Sequence, residues 1–248
     1  MSRPRLRDGR RLTTPEPFPL NQIPRDIVLS IGGYFVYLLH TGHKDITGSN
    51  WGDALAYAVA GRHLDSPLGI VDVVVDDNNS VAWSAKTIKL ESPHATQTVR
   101  LISGRCSPDY SYGITDPHED IQRTGDAVLN IWNERINIAR ERYNAVRTSV
   151  LIRSNDLTSF RLFEEENQRF RICDFVWEQN PNGNLIGKNR NTQETRFTWQ
   201  PHGSQLTIHT QVPESAIKFR IRRPPIVTPN DVLQSLHFDP SWVEILDN

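Results

Sequence analysis

The chain has 248 residues, 37% of them hydrophobic and 23% charged, with a formal net charge of −1 and two cysteines. That describes a globular chain long enough for one large domain or a core with an appended module. Its longest apolar run, 27–39, is broken by Gly32-Gly33 and falls short of the roughly 18 residues that a membrane span needs, so no membrane partner is expected. The near-neutral total does not advertise nucleic-acid binding, yet it hides clusters: Arg3, Arg5, Arg7, Arg10 and Arg11 at one place, Lys218, Arg220, Arg222 and Arg223 at another. Cys106 and Cys173 lack paired CxxC spacing, which argues against a structural zinc or a disulfide framework and makes the cytoplasm the default compartment. The basic start MSRPRLRDGRR has no apolar h-region after it and is not read as a secretory signal.

In chain order, residues 1–24 are rich in Arg and Pro and read as a basic arm rather than a packed element. A helix is predicted over 26–40, weakened by its glycine pair. His40, His43 and Asp45 follow in a loop, a grouping more often structural than metal-binding. Ser49-Asn50 offers an N-cap for an Ala-rich helix over Trp51–Arg62, with Asp53 in the first turn, where a carboxylate complements the helix dipole. A β-hairpin is predicted next: an apolar run Gly69–Val75, a turn at Asp76-Asp77-Asn78-Asn79-Ser80, and a return strand Val81–Ile88. Thr98–Ser103 is a third strand and 106–116 a loop with two tyrosines. The longest helical pattern spans 117–146, with Val128, Ile131, Trp132, Ile138 and Tyr143 in one stripe and arginines opposite. Thr148–Arg153 is a fourth strand, turning at Asn155-Asp156 into Phe160–Phe163. Beyond it, short strands at 170–177, 184–187, 194–199, 206–210 and 217–221 alternate with Asn/Gly/Pro turns, and a helix covers 231–236.

The hairpin carries the chemistry. With Val75 opposite Val81, Asp72 falls opposite Ser84, and Lys86 lies two residues further along the same strand. Residues two apart share a face of a strand, as do cross-strand partners, so Asp72, Ser84 and Lys86 would project together. A carboxylate and an ammonium in an apolar hairpin cost free energy unless they pair or hold a metal. An ordinary cross-strand Asp–Lys ion pair is the competing reading.

The collected order, helix 50–62, strands 69–75, 81–89 and 97–103, helix 117–146, strand 148–153, is αβββαβ. Together with Asp72 and Ser84-Ala85-Lys86, it resembles the core of the PD-(D/E)XK nucleases, in particular type II restriction endonucleases. The resemblance covers about residues 50–155 and implies an α/β fold with a mixed central sheet. The division would be an arm over 1–24, a nuclease core over 25–165 and a β-rich recognition extension over 166–248, packed on the core as one domain. It further implies Mg²⁺ held by Asp72 and the backbone carbonyl of Ala85, with Lys86 orienting or deprotonating the attacking water. Ser84 departs from the usual acid of the motif. The missing carboxylate would then come from Asp53, Glu91 or Glu119, Asp53 matching the family's helix position. Arg105, Asn155, Gln200, His202 and Gln205 are the residues expected to read bases, with Arg153, Arg220 and Arg222 on phosphates. Double-stranded DNA would be the substrate and a homodimer the expected form, since one site cuts one strand. A repair or junction-resolving nuclease, or a non-catalytic DNA-binding protein on the same scaffold, are the alternatives.

Overall fold

The computed structural model describes residues 17–64, 70–75 and 80–246. Two helices open the fold, α1 (Arg25–His40) and α2 (Gly48–Ala58). The second starts three residues before the predicted Trp51, ahead of the predicted cap Ser49-Asn50. Thr47 caps it through a reciprocal capping box with Asn50, which satisfies two helix-end donors at once. α2 also ends earlier than its Ala-rich pattern suggests. Ala60 takes a positive φ of 51°, and a Cβ on Gly61 would lie 2.5 Å from the Val74 carbonyl. The chain therefore turns back as a short strand, β1 (Arg62–His63), followed by β2 (Val73–Val75) and β3 (Val81–Lys89). The predicted hairpin start at Gly69 and its turn residues 76–79 lie outside the described residues.

β4 (Thr98–Arg105) leads to α3 (Pro108–Tyr112), a short helix capped by Ser107 inside the stretch expected to be loop. The long helix α4 (Ile121–Arg142) follows, then β5 (Ala145–Arg153) and β6 (Ser159–Glu166). A 3-10 turn over Ile172–Asp174 replaces the first half of the strand predicted at 170–177. The remaining strands are β7 (Phe175–Gln179), β8 (Leu185–Asn189), β9 (Thr195–Gln200), β10 (Gln205–Gln211) and β11 (Ile217–Arg220), with α5 (Pro229–Ser235) last.

The protein is mixed α/β, built on two sheets. The first runs β1-β2-β3-β5-β6-β11, the second β4-β10-β9-β8-β7. In the first sheet β1, β2 and β3 form an antiparallel meander, and β5 lies parallel to β3. The strand predicted at 97–103 thus does not join the hairpin. It pairs with β10 in the second sheet, and the third member of the meander is β1. The sheets interleave in sequence, since β11 returns to β6 of the first sheet. A boundary at 165/166 does not separate them.

One face of the first sheet packs on α1 and α2, through Phe35, Trp51, Leu55, Val73, Trp83 and Phe160. The opposite face carries two apolar clusters. One joins Val74, Ala82 and Val146 to α4 and the second sheet, the other joins Val150, Ile152 and Phe163 to Val99 and Leu101 of β4. Part of the predicted arm belongs to this body: Phe18 is buried, its carbonyl accepts from Arg147, and the Asn21 side chain accepts the Glu164 N–H.

Candidate active site

Asp72 sits one residue before β2, where regular pairing ends. Its N–H donates to the Trp83 carbonyl at 2.7 Å, one position off the Val73–Trp83 register. That departure, of the kind a bulge produces, turns the side chain toward β3. Its Oδ2 accepts the Ala85 N–H at 2.7 Å and the Ser84 hydroxyl at 3.3 Å, and the Lys86 ammonium lies 3.7 Å away. All three contacts fall on Oδ2. The Asp72 and Lys86 side chains are each 24% exposed, so solvent reaches a pair that is otherwise held in the sheet. The N–H and C=O of one residue leave a strand from the same edge. The Ala85 carbonyl therefore also faces the edge that β2 vacates.

Ser84 and Lys86 lie on the face of α4, with Ala82. Ser84 pairs with Thr148 on β5, and Thr148 with Glu165 on β6. Ser84–Thr148–Glu165 is thus a polar row across the sheet, running between the two apolar clusters of that face. Thr148 donates to Asn167 Oδ1 at 2.6 Å, and Thr210 of β10 donates to Glu165 at 3.0 Å. Burial pushes the Glu165 carboxyl above its ordinary range, against the opposing pull of Thr210 and Arg196. Glu164, one residue earlier, points to the other face, where Trp83 Nε1 donates to it at 2.6 Å and Arg147 pairs with it at 3.2 Å. Burial raises its pKa too, with Arg147 opposing.

The predicted acids do not converge on Asp72. Asp53 Oδ1 meets His63 Nδ1 at 2.7 Å, and His63 shares the α2 face with its partner Val73. Glu91 is exposed, beyond the end of β3 and five residues from Lys86, or about 16 Å along an extended chain. Glu119 is exposed in the loop before α4. Among the described residues no group of three or more His, Cys, Asp and Glu side chains could enclose a metal. His40, His43 and Asp45 are likewise engaged apart, on the Pro225 carbonyl, the Leu38 carbonyl and Arg153.

The residues expected to touch DNA form two groups. Arg105, Gln205 and Gln200 are direct neighbours across β4, β10 and β9, and the exposed His202 occupies the turn joining β9 to β10. Asn155 lies in the β5–β6 turn, near Arg220, which pairs with Ser159, and near exposed Arg222. Arg153 does not face phosphate: it is buried and holds Asp45 through one hydrogen bond of 2.9 Å from Nη2 and an ion-pair contact of 2.8 Å from Nη1. Arg147 and Arg140 are likewise spent, on Glu164 and on Glu166 with the Asn167 carbonyl.

No helix among the described residues is long and apolar enough to cross a membrane. Comparison with protein-family models, with curated proteins and with solved structures returns no match.

Proposed function

We propose that the protein is a Mg²⁺-dependent endonuclease of restriction type, hydrolysing phosphodiester bonds of double-stranded DNA. One observation carries the reading. Asp72, fixed on the Ala85 N–H, faces Lys86 at the end of an antiparallel meander, in a chain that runs α2, β1, β2, β3, then β4 and α3 toward the second sheet, then α4 and β5. With β4 and α3 taken as an excursion to the second sheet, the elements of the first sheet and its helices follow an αβββαβ order, which supports a PD-(D/E)XK reading with β1 rather than the 97–103 strand as first strand.

The donor set suits a hard cation. Mg²⁺ takes oxygen ligands, needs one or two carboxylates and keeps several waters. The Asp72 carboxylate, whose Oδ1 takes none of the three contacts, and the Ala85 carbonyl would hold it. Bound there, the ion would supply Lewis-acid stabilisation of charge on the scissile phosphate. Lys86 would hold the attacking water by hydrogen bonding and offset the negative charge that develops on phosphate oxygen. Ser84, tied to Asp72, would keep the carboxylate aligned. The Arg105–Gln205–Gln200 row has the residue types that read guanine and adenine edges, so it would serve recognition. Cutting both strands would require two copies of the site.

A single carboxylate at the hairpin favours a second reading, a non-catalytic DNA-binding protein on the same scaffold. Digestion of supercoiled plasmid in Mg²⁺, in Ca²⁺ and in EDTA separates the two. Discrete fragments in Mg²⁺ alone support the nuclease. DNA binding without cleavage in any of the three supports the second reading.

A further inference from the structure

The last described stretch of the chain is built unlike the rest. Of the seventeen exposed large hydrophobic side chains among the described residues, nine lie in the twenty-one residues 226–246, Leu236 at 57%, Trp242 at 64% and Ile245 at 86% exposure among them. No residue of α5 is buried. The segment is nevertheless ordered within itself. Thr228 and Asp231 form a capping box, the Phe238 N–H returns to the Leu233 carbonyl, and Phe238 meets Trp242 edge-on with ring centroids 5.7 Å apart. It leaves the body at His40, which accepts the Val227 N–H on its carbonyl. A seven-residue helix with an unburied apolar side is marginal in water, and a patch this apolar marks an interaction surface.

The body offers a matching surface next to the point of departure. On α1, Leu29, Gly33 and Tyr37 are spaced four apart on one exposed face, and a Cβ added at Gly33 would meet nothing within 4 Å. Ile221, just after β11, packs against Gly32 of the same helix, which brings the tract Lys218, Arg220, Arg222 and Arg223 alongside. Those four cations make no ion pair with any described carboxylate. The segment 226–246 carries three carboxylates, Asp231, Asp239 and Glu244, and no Lys or Arg. Beyond the arm's root at His40, apolar surface and charge are thus complementary between an arm and a face of the same chain that are both left exposed in the monomer.

We infer that residues 226–246 are an exchange arm, and that the arm of each copy seats on the α1 face and β11 cations of a second copy. The contact is isologous, as a two-fold dimer requires. An arm of twenty-one residues together with its receptor supplies the roughly 20–30 residues a side of a standard interface. The inference is independent of the nuclease reading, because a chain without cleavage activity would dimerise in the same way.

The test is oligomeric state, read by light scattering on size-exclusion chromatography. Three proteins are compared: the full chain, a chain ending at Pro225, and full-length Gly33→Arg. The full chain is expected at twice the monomer mass, and the truncated chain and Gly33→Arg at monomer mass. Gly33→Arg should keep the wild-type circular dichroism spectrum, and the truncated chain the same spectrum less the seven helical residues of α5, since neither removes a buried side chain. Mixing the two variants should restore a dimer, because one supplies the arm and the other the receptor. A monomeric full chain at micromolar concentration would overturn the inference, including in favour of a different partner for the arm. So would a truncated chain that stays dimeric, or a mixture that stays monomeric.

Discussion

The Asp72 carboxylate accepts the Ala85 N–H at 2.7 Å, so a side chain completes hydrogen bonding that the three-residue strand β2 leaves open. The same oxygen faces Lys86, which ties the placement of the carboxylate to the backbone rather than to a charge pair alone. Asp72→Asn keeps an acceptor for that N–H and removes the charge. Its stability should stay within about 1 kcal/mol of wild type, the usual worth of an ion pair that solvent reaches. Asp72→Ala strands the N–H and should lose about 1–3 kcal/mol. Urea denaturation of the two variants distinguishes these outcomes, and both should lack cleavage.

Asp53 is bonded to His63 on the α2 face rather than to the Asp72 cluster. Asp53→Asn should therefore retain most cleavage activity and lose about 1 kcal/mol or less of stability. A fall in cleavage of a hundredfold, with the fold intact, would place Asp53 in the site after all.

The packing of α4 on the second sheet depends on one glycine. A Cβ at Gly125 would lie 2.2 Å from the Trp177 ring, which packs flat against the helix there. Gly125→Ala gains helix propensity of about 1 kcal/mol but must displace an indole, and overpacking of this kind costs about 1–3 kcal/mol or more. The expected net result is a lower thermal midpoint. A rise would mean that the indole moves freely.

Burial holds the Glu165 carboxyl above its ordinary value of 4.5. As pH rises through that value the unfolded chain releases its proton first, so the native state loses stability until its own carboxyl ionises. Glu165→Gln removes this loss. The variant should be more stable than wild type at neutral pH, and the two should converge below pH 4.5. Denaturation midpoints measured from pH 4 to pH 8 check the sign, and a variant that is less stable at neutral pH contradicts it.

The sequence made the hairpin legible because its register follows from two local signals, the Asp/Asn turn and the valines on either side; Val75 does pair with Val81. The longer helices α1, α2 and α4 were legible as apolar stripes at helical spacing, whereas the five-residue α3 lies in a stretch that reads as loop. What stayed hidden depends on distant partners. A two-residue strand such as β1 has no period to detect, and it exists because Gly61 fits under the Val74 carbonyl. Thr98–Arg105 reads as a strand in any sheet, and its neighbour β10 lies about a hundred residues later. The run Glu164-Glu165-Glu166 reads as the solvated end of a strand. Its first two members are in fact held inside by Trp83, Arg147 and Thr210, side chains no local pattern connects to them. In the same way, nothing around Asp53 announces His63 as its partner.

Phosphodiester cleavage is the role proposed for the Asp72–Lys86 hairpin. The most direct measurement digests supercoiled plasmid and phage DNA in Mg²⁺ with wild type and with Lys86→Ala, and follows DNA binding by both in Ca²⁺. Discrete fragments are expected from wild type, with a loss of about a hundred- to a thousandfold in Lys86→Ala, on the scale of a removed charge-stabilising group, and unchanged specific binding. Fragments that appear equally with Lys86→Ala would contradict that role and reduce the hairpin to an ion pair.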